Sequence, residues 1–182
     1  MKTALQTTVA VLLGVFFLAA CDSGASLQKY YVDSKENNQF ISVDIPSSII
    51  QLKSDDVDEE LKETLKTIKK MNFLALQLTE DNKEFYASEK QKVSKILKND
   101  KYKQLMRLNS GEGKVSVNYI GTEDAVDEVI VFGSEDTKGF ALVRVIGENM
   151  NPSDILKLAQ SIDIDENSTE IKQLEGILSS IK

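Results

Sequence analysis

The cysteine at position 21 is the only one in the 182-residue chain, and it ends a long uncharged run. From Thr3 to Ala20 no side chain is charged, and the apolar part of the run extends from Val9 to Ala20. A thiol is the strongest nucleophile among the side chains, so this position is suited to the covalent capture of another group. A disulfide within the chain is excluded because there is no second cysteine.

The segment before Cys21 has the features of a secretory signal peptide. Lys2 supplies a positive charge, small residues precede the break, and the apolar run is short for a membrane span, which needs roughly 20 residues. Leu18-Ala19-Ala20-Cys21 resembles the lipobox of bacterial lipoproteins, whose cysteine sulfur takes a diacylglycerol before the chain is cut at that cysteine. The alternatives are an ordinary cleaved signal peptide with a chance cysteine and an uncleaved membrane anchor. We favour residues 1–20 as a lipoprotein signal peptide and lipidation at Cys21.

The composition limits the chemistry that the rest of the chain can perform. The net charge is −7, and removal of residues 1–20 takes away only Lys2 and leaves −8. Nucleic-acid binding depends on basic side chains that neutralise phosphates, so the acidic balance predicts no nucleic-acid partner. The chain contains no histidine, which is the usual general base near neutral pH and the commonest transition-metal ligand. We therefore expect no catalytic residues, no cofactor and no metal site.

One segment imitates a metal-binding loop, but two of its positions do not fit. Asp163-x-Asp165-x-Asn167 begins like a calcium loop. Ser168 stands where the sharp turn needs glycine, and Leu174 stands where a bidentate glutamate belongs. We interpret this segment as a solvated linker between helices.

Other candidate groups have simpler interpretations. One acidic run could in principle bind a hard cation, but it lies at the start of a predicted helix, where carboxylates cap the helix and interact favourably with its dipole. The run consists of Asp55, Asp56, Asp58, Glu59 and Glu60. Glu123 and Asp124 form a conceivable acid-base pair, although acids are common in turns. Ser179-x-x-Lys182 ends the chain, and a serine nucleophile needs a base that this sequence lacks.

Two sets of surface-forming residues could bind ligands. The tyrosines could line a groove, although core positions are their default. The lysine-rich face of residues 90–103 could contact anionic lipid headgroups near the segment that follows Cys21. The tyrosines are Tyr30, Tyr31, Tyr86, Tyr102 and Tyr119.

Short runs rich in β-branched and aromatic residues, bounded by turn residues, predict strands. The last three, separated by glycine-containing turns, predict an antiparallel meander. The predicted strands are 40–46, 71–79, 102–108, 114–121, 126–133 and 139–147. Helical spacing of apolar residues predicts helices near residues 27–36, 47–53, 54–70, 84–98, 151–162 and 168–182.

These elements predict an α+β fold with an antiparallel sheet of about four to six strands, a C-terminal three-strand meander and helices packed mainly on one face. The expected organisation is a signal peptide at 1–20, a lipid-anchored tether at 21–28 and an α+β domain at 29–163. An amphipathic C-terminal helix at 164–182 completes the chain.

Three segments resemble a family of Bacteroidota lipoproteins, the domain of unknown function 4252 family. They are "FISVDIPSSIIQL", "YKQLMRL" and "GFALVRVIGENMNPSDILKLAQSI", and the similarity covers residues 27–162. The resemblance implies an exported, lipid-anchored α+β domain, and it brings no established activity or catalytic residues.

We expect a membrane-anchored envelope lipoprotein with a non-enzymatic binding domain. It would be held through acylated Cys21, on the outer membrane rather than the inner one, with an envelope protein as a partner. The alternatives are an accessory in an envelope-stress or sigma-factor response and an enzyme that uses carboxylates alone.

Overall fold

The computed structural model describes residues 26–52, 58–110, 113–151, 153–155, 157 and 162–164. Three α-helices and eight strands have defined bounds in this part of the chain. The helices are α1 (Leu27–Lys35), α2 (Glu59–Thr67) and α3 (Lys83–Ile96). The strands are β1 (Phe40–Pro46), β2 (Ile50–Leu52), β3 (Ile68–Gln77), β4 (Lys103–Ser110), β5 (Gly113–Gly121), β6 (Val126–Glu135), β7 (Gly139–Met150) and β8 (Ile162–Ile164).

Six strands form one antiparallel sheet in the order β1-β3-β7-β6-β5-β4, and β2 pairs separately with β8. The predicted meander is confirmed, since β5, β6 and β7 are neighbours joined by short turns. The predicted α+β class is confirmed as well. The strand β3 lies inside the sheet between β1 and β7, as its apolar residues on both faces indicate.

Side chains that alternate along the strands build two cores, one on each face of the sheet. On the first face, α1 and α3 cover Leu74, Leu76, Ile130 and Leu142. We call this the helical face, because two of the three helices pack on it. On the second face, the shorter helix α2 packs against a cluster that includes Met71, Val117, Val129 and Val145.

Three local predictions were wrong. Residues 50–52 were expected to be helical, but Ile50 pairs with Ile164 as a strand. The helix predicted from residue 54 to Lys70 ends at Thr67, and β3 begins at Ile68. The segment 162–164, interpreted as part of a helix and a solvated linker, forms β8. In each case a partner distant in sequence decided the conformation.

Candidate functional site

Three clefts open on the helical face, with volumes of about 630, 500 and 860 Å³. The cleft of 630 Å³ contains a buried charge pair, which makes it the first candidate for a site because functional groups are often buried charges in clefts. It lies between α1 and the strands β3, β7 and β6, and its lining includes Tyr31, Asn72, Glu128 and Arg144.

Arg144 and Glu128 form a bidentate ion pair between neighbouring strands. Arg144 on β7 donates from Nε and Nη2 to the two carboxylate oxygens of Glu128 on β6, each at 2.7 Å. The side chains are only 9% and 11% exposed. Burial works against the charge on Arg144, but the hydrogen bonds and charge of Glu128 outweigh this effect and raise the pKa of the guanidinium. Arg144 is therefore charged in the folded protein, and the pair is largely shielded from water.

The ring of Tyr31, on α1, packs over the guanidinium of Arg144. The centre of its ring lies 5.2 Å from Arg144 Cζ, a cation-π geometry. Its hydroxyl donates a hydrogen bond to the carbonyl of Leu142 at 2.7 Å and lies 3.1 Å from the carbonyl of Asn72. Burial raises the pKa of the Tyr31 hydroxyl. This tyrosine therefore fixes α1 to the sheet as a neutral hydrogen-bond donor.

Asp44 extends the polar network toward solvent. Its carboxylate accepts hydrogen bonds from Lys35 of α1 and from the side-chain amide of Asn72. Burial acts to raise the pKa of Asp44, but the bonds from Lys35 and Asn72 outweigh it, so this pKa is lowered. The network joins α1, β1 and β3 at the mouth of the cleft.

We expect Asp44→Asn to reduce stability at neutral pH by less than about 1 kcal/mol, since exposed pairs contribute little. A carboxyl with a lowered folded pKa stabilises the protein above its unfolded pKa of about 3.9, and this contribution is lost as pH falls through the folded pKa. The urea midpoints of the variant and wild type should therefore differ at pH 7 and converge below about pH 3. Asp33→Asn, which removes an exposed pair with Lys29 on the same helix, is the control. A difference that persists unchanged at low pH would contradict the assignment.

Many of the polar groups that line the cleft are engaged with one another. Lys69 pairs with Glu148 at 2.7 Å, in addition to the pairs described above. Among the described residues, every carboxyl pKa that the surroundings shift is lowered. A general acid at neutral pH needs a raised carboxyl pKa. The geometry is that of a structural polar network.

Three of the acidic candidates, Glu123, Asp124 and Asp58, lie outside the three clefts. Glu123 and Asp124 are exposed in the β5–β6 turn. Asp58 caps α2 by accepting a hydrogen bond from the backbone N–H of Glu60. Cys21, residues 55–57, residues 165–167 and the Ser179-x-x-Lys182 segment lie outside the described residues. Within the described residues, no three His, Cys, Asp or Glu side chains are grouped closely enough to hold a metal ion.

The five tyrosines are all buried, so the core interpretation holds for them, and three of them also line clefts.

The ion pair between Arg144 and Glu128 is the feature of the site that the sequence analysis did not predict. Glu128 shares a face with Ile130 and Phe132, and Arg144 shares a face with Phe140 and Leu142. A charged residue at an inward position of an alternating strand was the available signal.

The first described residues form the capped start of α1. Ser26 caps α1 by accepting a hydrogen bond from the N–H of Lys29, and the next residue, Leu27, is fully buried. The N–H of Leu27 donates to the hydroxyl of Tyr102, which follows α3, at 3.0 Å. The start of α1 is thus held against the segment between α3 and β4. None of the helices in the described residues is both long and apolar enough to cross a membrane.

The sheet, the two cores and the buried polar network together define a small α+β domain. The family model DUF4252, described as a domain of unknown function, matches residues 30–158. This match spans well over half of the chain, so the protein belongs to the DUF4252 family and the predicted membership is confirmed. No curated protein and no solved structure matches the chain.

Proposed function

We propose that this protein is an exported lipoprotein whose acylated Cys21 holds a non-enzymatic binding domain at a membrane of the cell envelope. The observation that carries the proposal is the position of the first buried residue in the part of the chain that the structure describes. Leu27 lies only six positions after the single cysteine, and six residues span at most roughly 20 Å. An anchor at Cys21 would therefore keep the domain next to the bilayer. Two or more acyl chains make such an anchor stable, whereas one gives marginal binding.

The polar network supports a binding role over a catalytic one. Its arginine is occupied by a carboxylate, its tyrosine is a neutral donor to backbone carbonyls, and its exposed aspartate is held by a lysine and an amide. These contacts stabilise the junction of α1 with the sheet. The exposed surfaces around the clefts are then the part of the domain available to a partner.

Metabolic labelling with an alkyne fatty acid tests the anchor. We expect the wild type to be labelled and to sediment with membranes, and we expect Cys21→Ser to lose at least nine-tenths of the label, because its hydroxyl cannot replace the thiol. A matched control is the double variant Cys21→Ser with Ser23→Cys, which keeps one thiol but moves it two positions. Labelling that persists in Cys21→Ser, or that follows the displaced thiol, would refute lipidation at Cys21.

A further inference from the structure

The cleft of 500 Å³ differs from the other two in the charges that line it. It lies between the outer side of α3 and the strands β4, β5 and β6, and Lys98, Arg107 and Lys114 stand at its rim. No carboxylate is among its described lining residues, whereas the clefts of 630 and 860 Å³ contain several. Lys90 also lines it, but its ammonium lies 2.8 Å from Asp136 outside the lining. The whole chain is acidic, so this concentration of positive charge marks one side of the molecule.

A fourth cation connects this cleft to the amino-terminal end of the fold. Lys101 lies in the segment that joins α3 to β4, and it lines a common cleft with Gln28 of α1. The neighbouring Tyr102 accepts the hydrogen bond from Leu27. We define Lys98, Lys101, Arg107 and Lys114 as the basic corner. All four are exposed, and Lys101 adjoins Tyr102, which holds the first residue of α1.

The edge strand β4 adds apolar surface to the basic corner. Leu105 and Leu108 lie on the same strand as Arg107 and are 38% and 54% exposed; Leu108 pairs with Val115 and points to the opposite face of the sheet from Arg107, which pairs with Ser116. Together with Val32 they are the large apolar side chains that the described residues leave exposed. Basic side chains mixed with exposed apolar ones are typical of surfaces that lie on a membrane. One exposed carboxylate, that of Asp100, lies within the same segment as Lys101.

We propose that the basic corner rests on anionic phospholipid headgroups. This inference builds on the proposed lipid anchor, because a tether of six residues would hold the basic corner near the bilayer. Attraction to an anionic surface extends about one Debye length, roughly 8 Å at physiological salt. The corner carries four positive charges in a chain of net charge −7, and the carboxylates beside it are those of Asp100, which adjoins Lys101, and Asp136, which interacts with Lys90 and Lys114. The rest of the domain is negatively charged and is repelled by the same anionic surface. This uneven distribution of charge would orient the domain with the basic corner toward the membrane.

Vesicle flotation with the mature chain carrying Cys21→Ser tests the corner without the acyl anchor. The probes are vesicles of phosphatidylcholine alone and vesicles with about one-third phosphatidylglycerol, in 50 mM salt. A basic residue near an anionic surface contributes roughly a fivefold factor in binding, which the acidic remainder opposes. We expect partitioning onto the anionic vesicles to exceed that onto the neutral ones by at least about tenfold and to be lost in 500 mM salt.

The matched variants carry equal charge changes at different places. Replacing the four residues of the basic corner by glutamine should reduce partitioning to the level seen with phosphatidylcholine. Replacing Lys62, Lys66, Lys83 and Lys157 by glutamine should change it by less than about threefold, because these lysines lie on α2, at the other end of α3 and beside α2, where Lys157 pairs with Glu60. Circular dichroism verifies that both variants fold. Equal losses in the two variants, or no preference of the wild type for anionic vesicles, would overturn the proposal. Fatty-acid labelling at Cys21 is measured separately, so the two proposals can fail independently.

Discussion

Replacing Arg144 by methionine is expected to lower the free energy of unfolding by about 3–5 kcal/mol, the usual cost of breaking a buried pair. The loss arises because Glu128, which is 11% exposed, would keep its charge with no partner in the apolar interior of the helical face. Tyr31 would also lose the cation that lies under its ring. Urea unfolding followed by circular dichroism measures the change.

The double variant Arg144→Met with Glu128→Leu tests whether the stability lost in Arg144→Met comes from the unpaired carboxylate. Replacing both partners of a buried ion pair by apolar residues is often neutral or stabilising, so we expect most of the lost stability to return. The deficit of Arg144→Met alone should also shrink in acid, because an unpaired buried carboxylate becomes neutral by taking up a proton. Additive losses in the double variant would show that the pair itself is not the source of the effect.

Replacing Gly139 by alanine is expected to cost roughly 3 kcal/mol, from backbone strain and steric overlap together. Gly139 begins β7 with a φ of +136°, which side-chain-bearing residues rarely adopt. A Cβ at this position would lie 2.2 Å from the carbonyl oxygen of Leu76 and 2.9 Å from Gln77 Cα, both in the neighbouring strand β3. The backbone of β3 cannot move away from β7 without breaking hydrogen bonds between the two strands, so we expect the strain to remain in the folded variant.

Gly133 on β6 provides the matched control. Its φ is ordinary, and an added Cβ would meet only Val115 Cγ2, at 3.8 Å. Gly133→Ala should therefore change stability by less than about 1 kcal/mol, with a tendency toward stabilisation because alanine restricts the unfolded chain. Thermal and urea unfolding of both variants would give this difference. A loss at Gly133 as large as that at Gly139 would contradict the steric explanation.

Local patterns predicted the parts of the fold that local physics decides. Alternating residues and glycine turns identified β5, β6 and β7, and the opposite faces of β3 followed from Leu74 and Phe73. The helix α3 also lies where its apolar spacing indicates, with Val93 and Ile96 buried. In these segments neighbouring residues carry enough information to fix both the element and its buried face.

Contacts between distant residues decided the parts that local patterns missed. The apolar segment around Ile50 is compatible with a helical turn or a strand, and its pairing with residue 164 selects the strand. Ile68 fits the apolar face of α2 in sequence, but it pairs with Gly147 at the start of β3. The bond of Arg144 with Glu128 depends on the register of β6 against β7, which the turn alone does not specify.

The burial of Leu27 at the first turn of α1 determines how the domain would respond to mechanical load. A pull on the chain at Ser26, the first described residue, acts directly on a fully buried leucine and on its hydrogen bond to Tyr102. The load then passes along α1 to Tyr31, whose hydroxyl is bonded to the centre of the sheet. Under the proposed anchor at Cys21, tension from the bilayer would act on the hydrophobic core through α1. Detachment of α1 from the sheet would then be the first step of unfolding under force.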